Sequence, residues 1–255
     1  MSIYITGDTH GDFLRFNSSN FPKGKKLNKN DYIIILGDFG GIWDYKGISK
    51  EEEYWLDWLN EKPWTTLFID GNHENFDRLN SYPIFNWHGG KVHKIKDNIF
   101  HLCRGQIFNI EGLTFLAMGG ANSHDIQDGI LNPSDYLSKK DFKQAIKKLE
   151  QNQKLYRIKG MSWWTEEVPN ALEKSNCILN MCKYNKSIDC ILTHEAPASI
   201  NLYVSIFPPT KYSKWLEEEI KTKIEYEQWF FGHYHLNKII DSHHLCLYNK
   251  IMQIK

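Results

Sequence analysis

The sequence predicts an α/β fold, and three observations carry that expectation. Short β-branched and aromatic runs recur along the chain, amphipathic helical patterns lie between several of them, and most runs end in a cluster of polar residues. The runs span residues 3–6, 32–36, 66–69, 114–118, 190–193 and 228–231, and each reads as a buried strand.

The helices follow in order. Residues 51–60 open with glutamates, which suit the positive end of a helix dipole, carry Tyr54, Leu56, Trp58 and Leu59, and stop before Pro63. Residues 136–152 set Phe142, Ile146 and Leu149 on one face and Lys139, Lys143 and Lys147 on the other, the pattern of a helix with a solvated outer side. Residues 211–224 repeat Leu216, Ile220 and Ile224 at a spacing of four, with Glu217 and Glu219 each four residues before a lysine, and read as scaffold. The last segments, 245–248 and 250–254, read as a closing hairpin over Asn249. A single domain over 1–255 is expected, with 119–187 as a helical insertion or cap, because that stretch separates two strand-plus-cluster units.

At 255 residues the chain is long enough to bury a sizeable core. Its 31 basic and 31 acidic residues cancel, so no global field recruits nucleic acid or membrane, and any electrostatic attraction has to be local. Five cysteines without CxxC spacing sit mostly in or beside apolar runs, which fits buried thiols in a reducing compartment. No stretch approaches the roughly 18 apolar residues of a membrane span. Residues 3–6 read as a core strand rather than part of a cleavable signal, so a cytoplasmic protein without a membrane partner is expected. The sequence leaves the oligomeric state open.

The polar clusters hold Asp8, His10, Asp12, Asp38, Asp70, Asn72, His73, Glu74, His194, Glu195, His233 and His235. In α/β sheets ligands bind beyond the carboxyl ends of the strands, so these clusters are expected to converge. Carboxylates gathered there repel one another unless a cation compensates them. Imidazole with carboxylate and amide oxygen suits Mn, Fe or Zn better than Mg or Ca alone, and the absence of cysteine argues against a structural zinc. So many donors point to two ions rather than one.

Taken in order, GDTHG, GD, GNHE, TH and GHYH resemble the signature of the calcineurin-like metallophosphoesterases, and the likeness runs from residue 7 to residue 235. The resemblance implies two mixed β-sheets packed as a sandwich flanked by helices, with a dinuclear site at one edge. It implies that Asp8, His10 and His235 hold one metal, that Asn72, His194 and His233 hold the other, and that Asp38 bridges them. It also implies that His73 faces the substrate, stabilising the phosphoryl group and protonating the leaving oxygen. The cofactors would be two divalent ions, Mn first with Fe or Zn as alternatives, roughly 3.5 to 4 Å apart and able to activate a shared water. The expected function is a phosphomonoesterase acting on a phosphoprotein or a small phosphorylated molecule. The alternatives are a phosphodiesterase acting on cyclic nucleotides or nucleic acid, which Lys139, Lys143, Lys147, Lys148, Trp163 and Trp164 would favour, and a scaffold of the same shape that binds protein without catalysis.

The sequence departs from the serine/threonine phosphatase branch of that family, whose second motif continues GDxVDRG; here Gly40, Gly41 and Ile42 follow. The residue that orients His73 could be Asp44, Asp70 or Asp77, with Asp70 reading better as a turn former before Gly71. Arg78 is either a phosphate contact or an exposed helix arginine. GGANSHD, residues 119–125, resembles a loop of bacterial and phage-like family members and offers Asn122 and Asp125 as substrate contacts, against the plainer reading of a glycine-rich turn. Trp163 either lines a substrate groove or divides with Trp164 between surface and core. His88, His93, His101, His243 and His244 read as structural or exposed.

Overall fold

All six expected runs form strands. The computed structural model describes residues 1–184 and 187–255. In chain order its strands are β1 (Ile3–Thr6), β2 (Tyr32–Leu36), β3 (Thr65–Ile69), β4 (Ile84–Trp87), β5 (Gly90–Lys96), β6 (Ile99–Leu102), β7 (Gln106–Ile110), β8 (Leu113–Met118), β9 (Ile130–Leu131), β10 (Arg157–Ile158), β11 (Ile188–Thr193), β12 (Tyr226–Phe231), β13 (Lys238–Ile239), β14 (His244–Cys246) and β15 (Met252–Gln253). The helices are α1 (Lys50–Asn60), α2 (Phe76–Leu79), α3 (Lys139–Gln151), α4 (Ala171–Tyr184), α5 (Ala198–Asn201) and α6 (Lys211–Leu216).

Two mixed sheets result. One runs β15-β1-β2-β3-β6-β5-β4 and the other β13-β14-β12-β11-β8-β7. Each has four parallel strands at its centre, β1-β2-β3-β6 and β14-β12-β11-β8, with antiparallel strands at its edges.

The period-two alternation of strand side chains explains the layering. Ile3, Ile5, Ile34, Leu36, Leu67 and Ile69 meet Phe108, Phe115, Ala117, Leu192 and Phe230 between the sheets. Their neighbours Tyr4, Ile33, Ile35 and Phe68 face outward onto Leu56 and Leu59 of α1. On the second sheet Leu116, Met118, Ile191 and Trp229 face outward onto Cys177 and Met181 of α4 and Tyr212 and Leu216 of α6. Helix, sheet, sheet and helix therefore stack as four layers. Helix α1 starts where Ser49 caps the Glu52 N–H, and its first turn carries Glu51, Glu52 and Glu53.

Two expectations need correction, and one stretch adds strands that no expectation covers. Residues 84–110 build β4 to β7; β4, β5 and β7 interleave Lys, His, Asn, Gln or Gly with apolar residues, and β6, though it pairs with β3, is four residues long with His101 inside it, so none shows a long apolar run. The closing hairpin does not form. Strand β14 lies parallel to β12 in one sheet, while β15 pairs with β1 in the other, so the chain's last turn staples the two sheets together. The helix expected over 211–224 is α-helical only to Leu216 and then widens into a π-helical turn at Glu217–Lys221. The stretch 119–187 contains α3, α4 and the two-stranded β9-β10 pair; its residues 185–186 lie outside the described residues.

Candidate functional site

The predicted polar clusters meet beyond the carboxyl ends of β1, β2, β3, β11 and β12. Backbone strain aims them. Among the described residues seven non-glycine residues have left-handed backbone, and four of these are His10, Asp38, His233 and His235. Such conformations are costly for L-residues and persist where packing over-determines them, typically at functional sites. Two glycines make the close approach possible: a Cβ on Gly71 would lie 2.0 Å from Asp38 Oδ1, and one on Gly232 would lie 2.3 Å from Asp8 Oδ1. The end of β1 is clamped by Arg15, which donates to the carbonyls of Gly7, Asp8 and Tyr248.

Two donor groups form. Asp8, His10 and His235 bring one ligand atom each within 4.8 Å of one another, as do Asp8, Asp38 and His194. Asp8 belongs to both groups, and Asp38, a member of the second, also reaches the first, with Oδ2 3.6 Å from His10 Nε2 and Oδ1 3.3 Å from His194 Nε2. His235 Nε2 lies 3.0 Å from His10 Nε2 and 3.3 Å from Asp8 Oδ2. The His194 ring sits 5.0 Å, centroid to centroid, from that of His233.

The partnerless atoms reveal what the site wants. His194 Nε2, His233 Nε2 and Asn72 Oδ1 are buried without a hydrogen-bond partner, and a buried polar atom left so is expensive. His194 Nδ1 faces the Leu36 carbonyl at 2.6 Å and so carries a proton, which leaves Nε2, 3.3 Å from Asp38 Oδ1, as the atom that presents a lone pair once a cation takes the place of its proton. Asn72 Nδ2 donates to Ser123 Oγ at 3.2 Å, which turns its oxygen the other way. Ser123 in turn donates to Glu167 at 2.6 Å. The His194 and Asn72 atoms are therefore oriented by outer partners, as metal ligands are.

His73 lies beside the two groups, its ring 5.3 Å from that of His10 and 5.7 Å from that of Trp43, and its backbone N–H donates to Asp38 Oδ1 at 2.8 Å. None of the three candidate aspartates holds its ring. Asp70 is buried against Arg104 and His101, Asp77 accepts from Trp164 Nε1, and Asp44 accepts from the Lys46 N–H. Instead the guanidinium of Arg157 reaches to 3.3 Å from His73 Nε2 and is itself held by Asp125. The sequence reading missed Arg157. One signal was there: the chain has only four arginines among its 31 basic residues, and all four make defined internal contacts here.

The remaining substrate candidates divide. Asp125 faces the site through Arg157. Arg78 does not face it, because its guanidinium pairs with the buried Glu52 carboxylate at 2.7 Å and the Asp44 carbonyl at 2.9 Å. Asn122 is fixed by its backbone, donating to Glu195 at 3.0 Å. Trp163 is half-buried, while Trp164 enters the core beside Trp43. His124, adjacent to these, lies 5.1 Å from the His233 ring and stacks on Phe207. Glu74 serves structure, accepting the Phe39 N–H at 2.7 Å and pinning the turn that carries Asp38.

Residues 1–237 match the calcineurin-like phosphoesterase family. The chain belongs to that family. It is also similar to the lariat debranching enzyme of Schizosaccharomyces pombe (strain 972 / ATCC 24843), at 22% identity over 96% of this chain and 50% of the relative. The lariat debranching enzyme of Danio rerio matches at 21% over 92% of this chain and 40% of the relative. That of Saccharomyces cerevisiae (strain ATCC 204508 / S288c) is 34% identical over a shorter region, 35% of this chain and 23% of the relative. The chain thus spans about half the length, or less, of the curated relatives it matches. Among the described residues no helix is long and apolar enough to cross a membrane.

Calcineurin-like phosphoesterases use a dinuclear metal centre, and the electrostatics here fit one. Burial would raise the Asp38 carboxyl, but His194 outweighs it and holds the group well below the usual carboxylate range. Burial would likewise depress His194, yet Asp38 and Asp8 lift it to about 10. The pair demands positive charge, which a divalent cation supplies more completely than a proton. Burial pushes His233 well down, leaving a neutral imidazole suited to coordination. His73 is also lowered by burial.

Proposed function

We propose that this protein is a metal-dependent phosphodiesterase acting on nucleic acid, with its centre formed by Asp8, His10, Asp38, Asn72, His194, His233 and His235. The observation that carries the reading is the buried, partnerless set of His194 Nε2, His233 Nε2 and Asn72 Oδ1 beside a carboxylate that faces both donor groups. Asp8, His10 and His235 would hold one ion, Asn72, His194 and His233 the other, with Asp38 between them. When bound, the ions supply Lewis acidity toward the phosphate and a lowered pKa for water.

The chain's own residues do the rest. Arg157, whose Nε and Nη2 are engaged by Asp125, would offer its remaining N–H donors to a non-bridging phosphate oxygen, taking the place of the arginine absent after Gly40. An anionic phosphate bound between Arg157 and His73 would take up the guanidinium N–H that otherwise faces Nε2 and offset the burial and the Arg157 charge that lower the His73 pKa, so that Nε2 can carry a proton and release it to the leaving oxygen as the P–O bond breaks. Asp125 holds Arg157 in that position.

Two further features support a diester of nucleic acid over the phosphomonoester expected first. The curated relatives are named for debranching lariats. Helix α3 is exposed along its lysines and belongs to the 119–187 stretch, which brings Arg157 to His73 and which we read as a cap over the site within a single domain. Manganese is the ion we expect, with iron or zinc as alternatives. Turnover of p-nitrophenyl phosphate, bis-p-nitrophenyl phosphate and a branched oligonucleotide with added Mn tests the reading. Cleavage of the two diesters with little attack on the monoester is expected; preference for the monoester, or no turnover of any, overturns it.

A further inference from the structure

Beside His10 the surface sinks into a groove of about 420 Å³, within the size range of small-molecule sites. Its floor is Phe13, fully buried, and its walls are Trp43, Tyr45 and Trp55. Met161, from the 119–187 stretch, closes one side. Trp43 joins this groove to the candidate centre, since its ring lies 5.7 Å from that of His73. Apart from His10 and Gly11 at its edge, neither the motif residues nor the proposed reaction uses the groove.

Resting on the phosphodiesterase reading above, we propose that this groove binds one nucleobase of the substrate, the base of a nucleotide flanking the scissile phosphate. The lining fits a flat aromatic ring and rejects a second phosphate. Tyr45 and Trp55 are partly exposed aromatic rings, with Lys46 Nζ 5.4 Å from the Tyr45 centroid, and base-aromatic stacking is favourable for every base. The polar groups at the margin are the carboxylates of Asp44, Glu51 and Glu52, of which Glu52 is paired with Arg78, together with the Ser49 hydroxyl and the His10 ring. Free carboxylates repel phosphate and accept hydrogen bonds from exocyclic amino groups, so adenine and cytosine should be preferred over uracil. Because the groove borders His10, the phosphate attached to the bound nucleoside falls toward the donor groups rather than into solvent.

The test measures binding of adenosine 5′-monophosphate and of ribose 5-phosphate to the protein without added metal, read by shifts of the ligand protons in NMR titrations. The nucleotide should bind at least 10-fold more tightly than the sugar phosphate, and Tyr45→Ala and Trp55→Ala should each remove most of that difference. Trp55→Phe, which keeps a stacking face, should restore it and guards against a folding artefact. Equal binding of the two ligands to the wild-type protein, or unchanged nucleotide binding in both alanine variants, overturns the proposal. Steady-state kinetics separate it from the reading beneath it. Tyr45→Ala should raise KM for a dinucleotide about 10-fold with kcat little changed, wild-type hydrolysis of bis-p-nitrophenyl phosphate serving as the reference activity. If wild type cleaves that small diester but gains nothing from a base, the groove assignment fails and the phosphodiesterase survives. Base binding without turnover of any diester sinks the activity instead.

Discussion

Asp70 offers the sharpest physical test, because its burial is complete and its partners are charged. The carboxylate at the end of β3 accepts from Arg104 Nε at 2.8 Å and from His101 Nε2 at 2.9 Å, and both partners are buried. Burial alone would raise its pKa, yet Arg104 and His101 reverse the effect and hold it far below the usual carboxylate range. Asp70→Ala removes the countercharge and leaves the guanidinium buried with only Glu173 and the Glu166 carbonyl for company. Breaking a buried pair on one side costs about 3 to 5 kcal/mol. For a chain of this size each kcal/mol lowers the thermal midpoint by about 2 to 4 °C, so a fall of roughly 6 to 20 °C is expected by circular dichroism. Adding Arg104→Met to an Asp70→Asn background should recover much of the loss, since a well-packed apolar replacement of an ion pair is often tolerated. The pH dependence has a fixed sign. The folded pKa lies below the unfolded one, so this stabilisation is present above about pH 4 and disappears as pH falls toward the folded value. A midpoint shift under about 3 °C for Asp70→Ala, or no recovery in the double variant, would refute the reasoning.

The other predictions concern the site. Asp38→Asn should lower the content of both ions together in elemental analysis, because its two oxygens face the two donor groups. His73→Ala should keep its metal while turnover falls about 100-fold or more; loss of metal alongside activity would move His73 into the ligand set. Arg157→Ala should lower kcat/KM about 10- to 100-fold with metal content unchanged, and Arg157→Lys should rescue it poorly, since an ammonium cannot reproduce a fork. Ser123→Ala frees the Asn72 amide to rotate, and should weaken metal affinity at least 10-fold in a competition titration although Ser123 itself is no ligand.

The parts of this molecule that could be read from the sequence are those where one side chain's identity answers to one local requirement. A buried parallel strand must be apolar over its length, so β1, β2 and β3 announce themselves in 3–6, 32–36 and 66–69. The turn after each such strand carries a polar cluster, with Asp8, Asp38 and Asn72 just beyond β1, β2 and β3. Strands β4 to β7 answer to neighbours instead, and their mixture of polar and apolar residues has no local reading. The closing strands misled for a related reason: adjacency in the chain suggests a hairpin, but β14 and β15 pair with partners in two different sheets.

Arg157 illustrates the limit most clearly. It is separated from His73 by 84 residues, sits in a two-stranded pair that no pattern marks, and acquires its meaning only from Asp125 and His73. Asp70 erred in the same direction: next to Gly71 it looked like a turn former, and the partner that makes it structural, Arg104, lies 34 residues on. In both cases the motif supplied one half of an ion pair or hydrogen bond, and the tertiary fold supplied the other. Residues that act on solvent or on an ion are thus visible one at a time, whereas residues that act on each other become visible only together. The arginines of a lysine-rich chain are the exception worth searching for, because a planar, permanently charged fork is retained where fixed geometry is required.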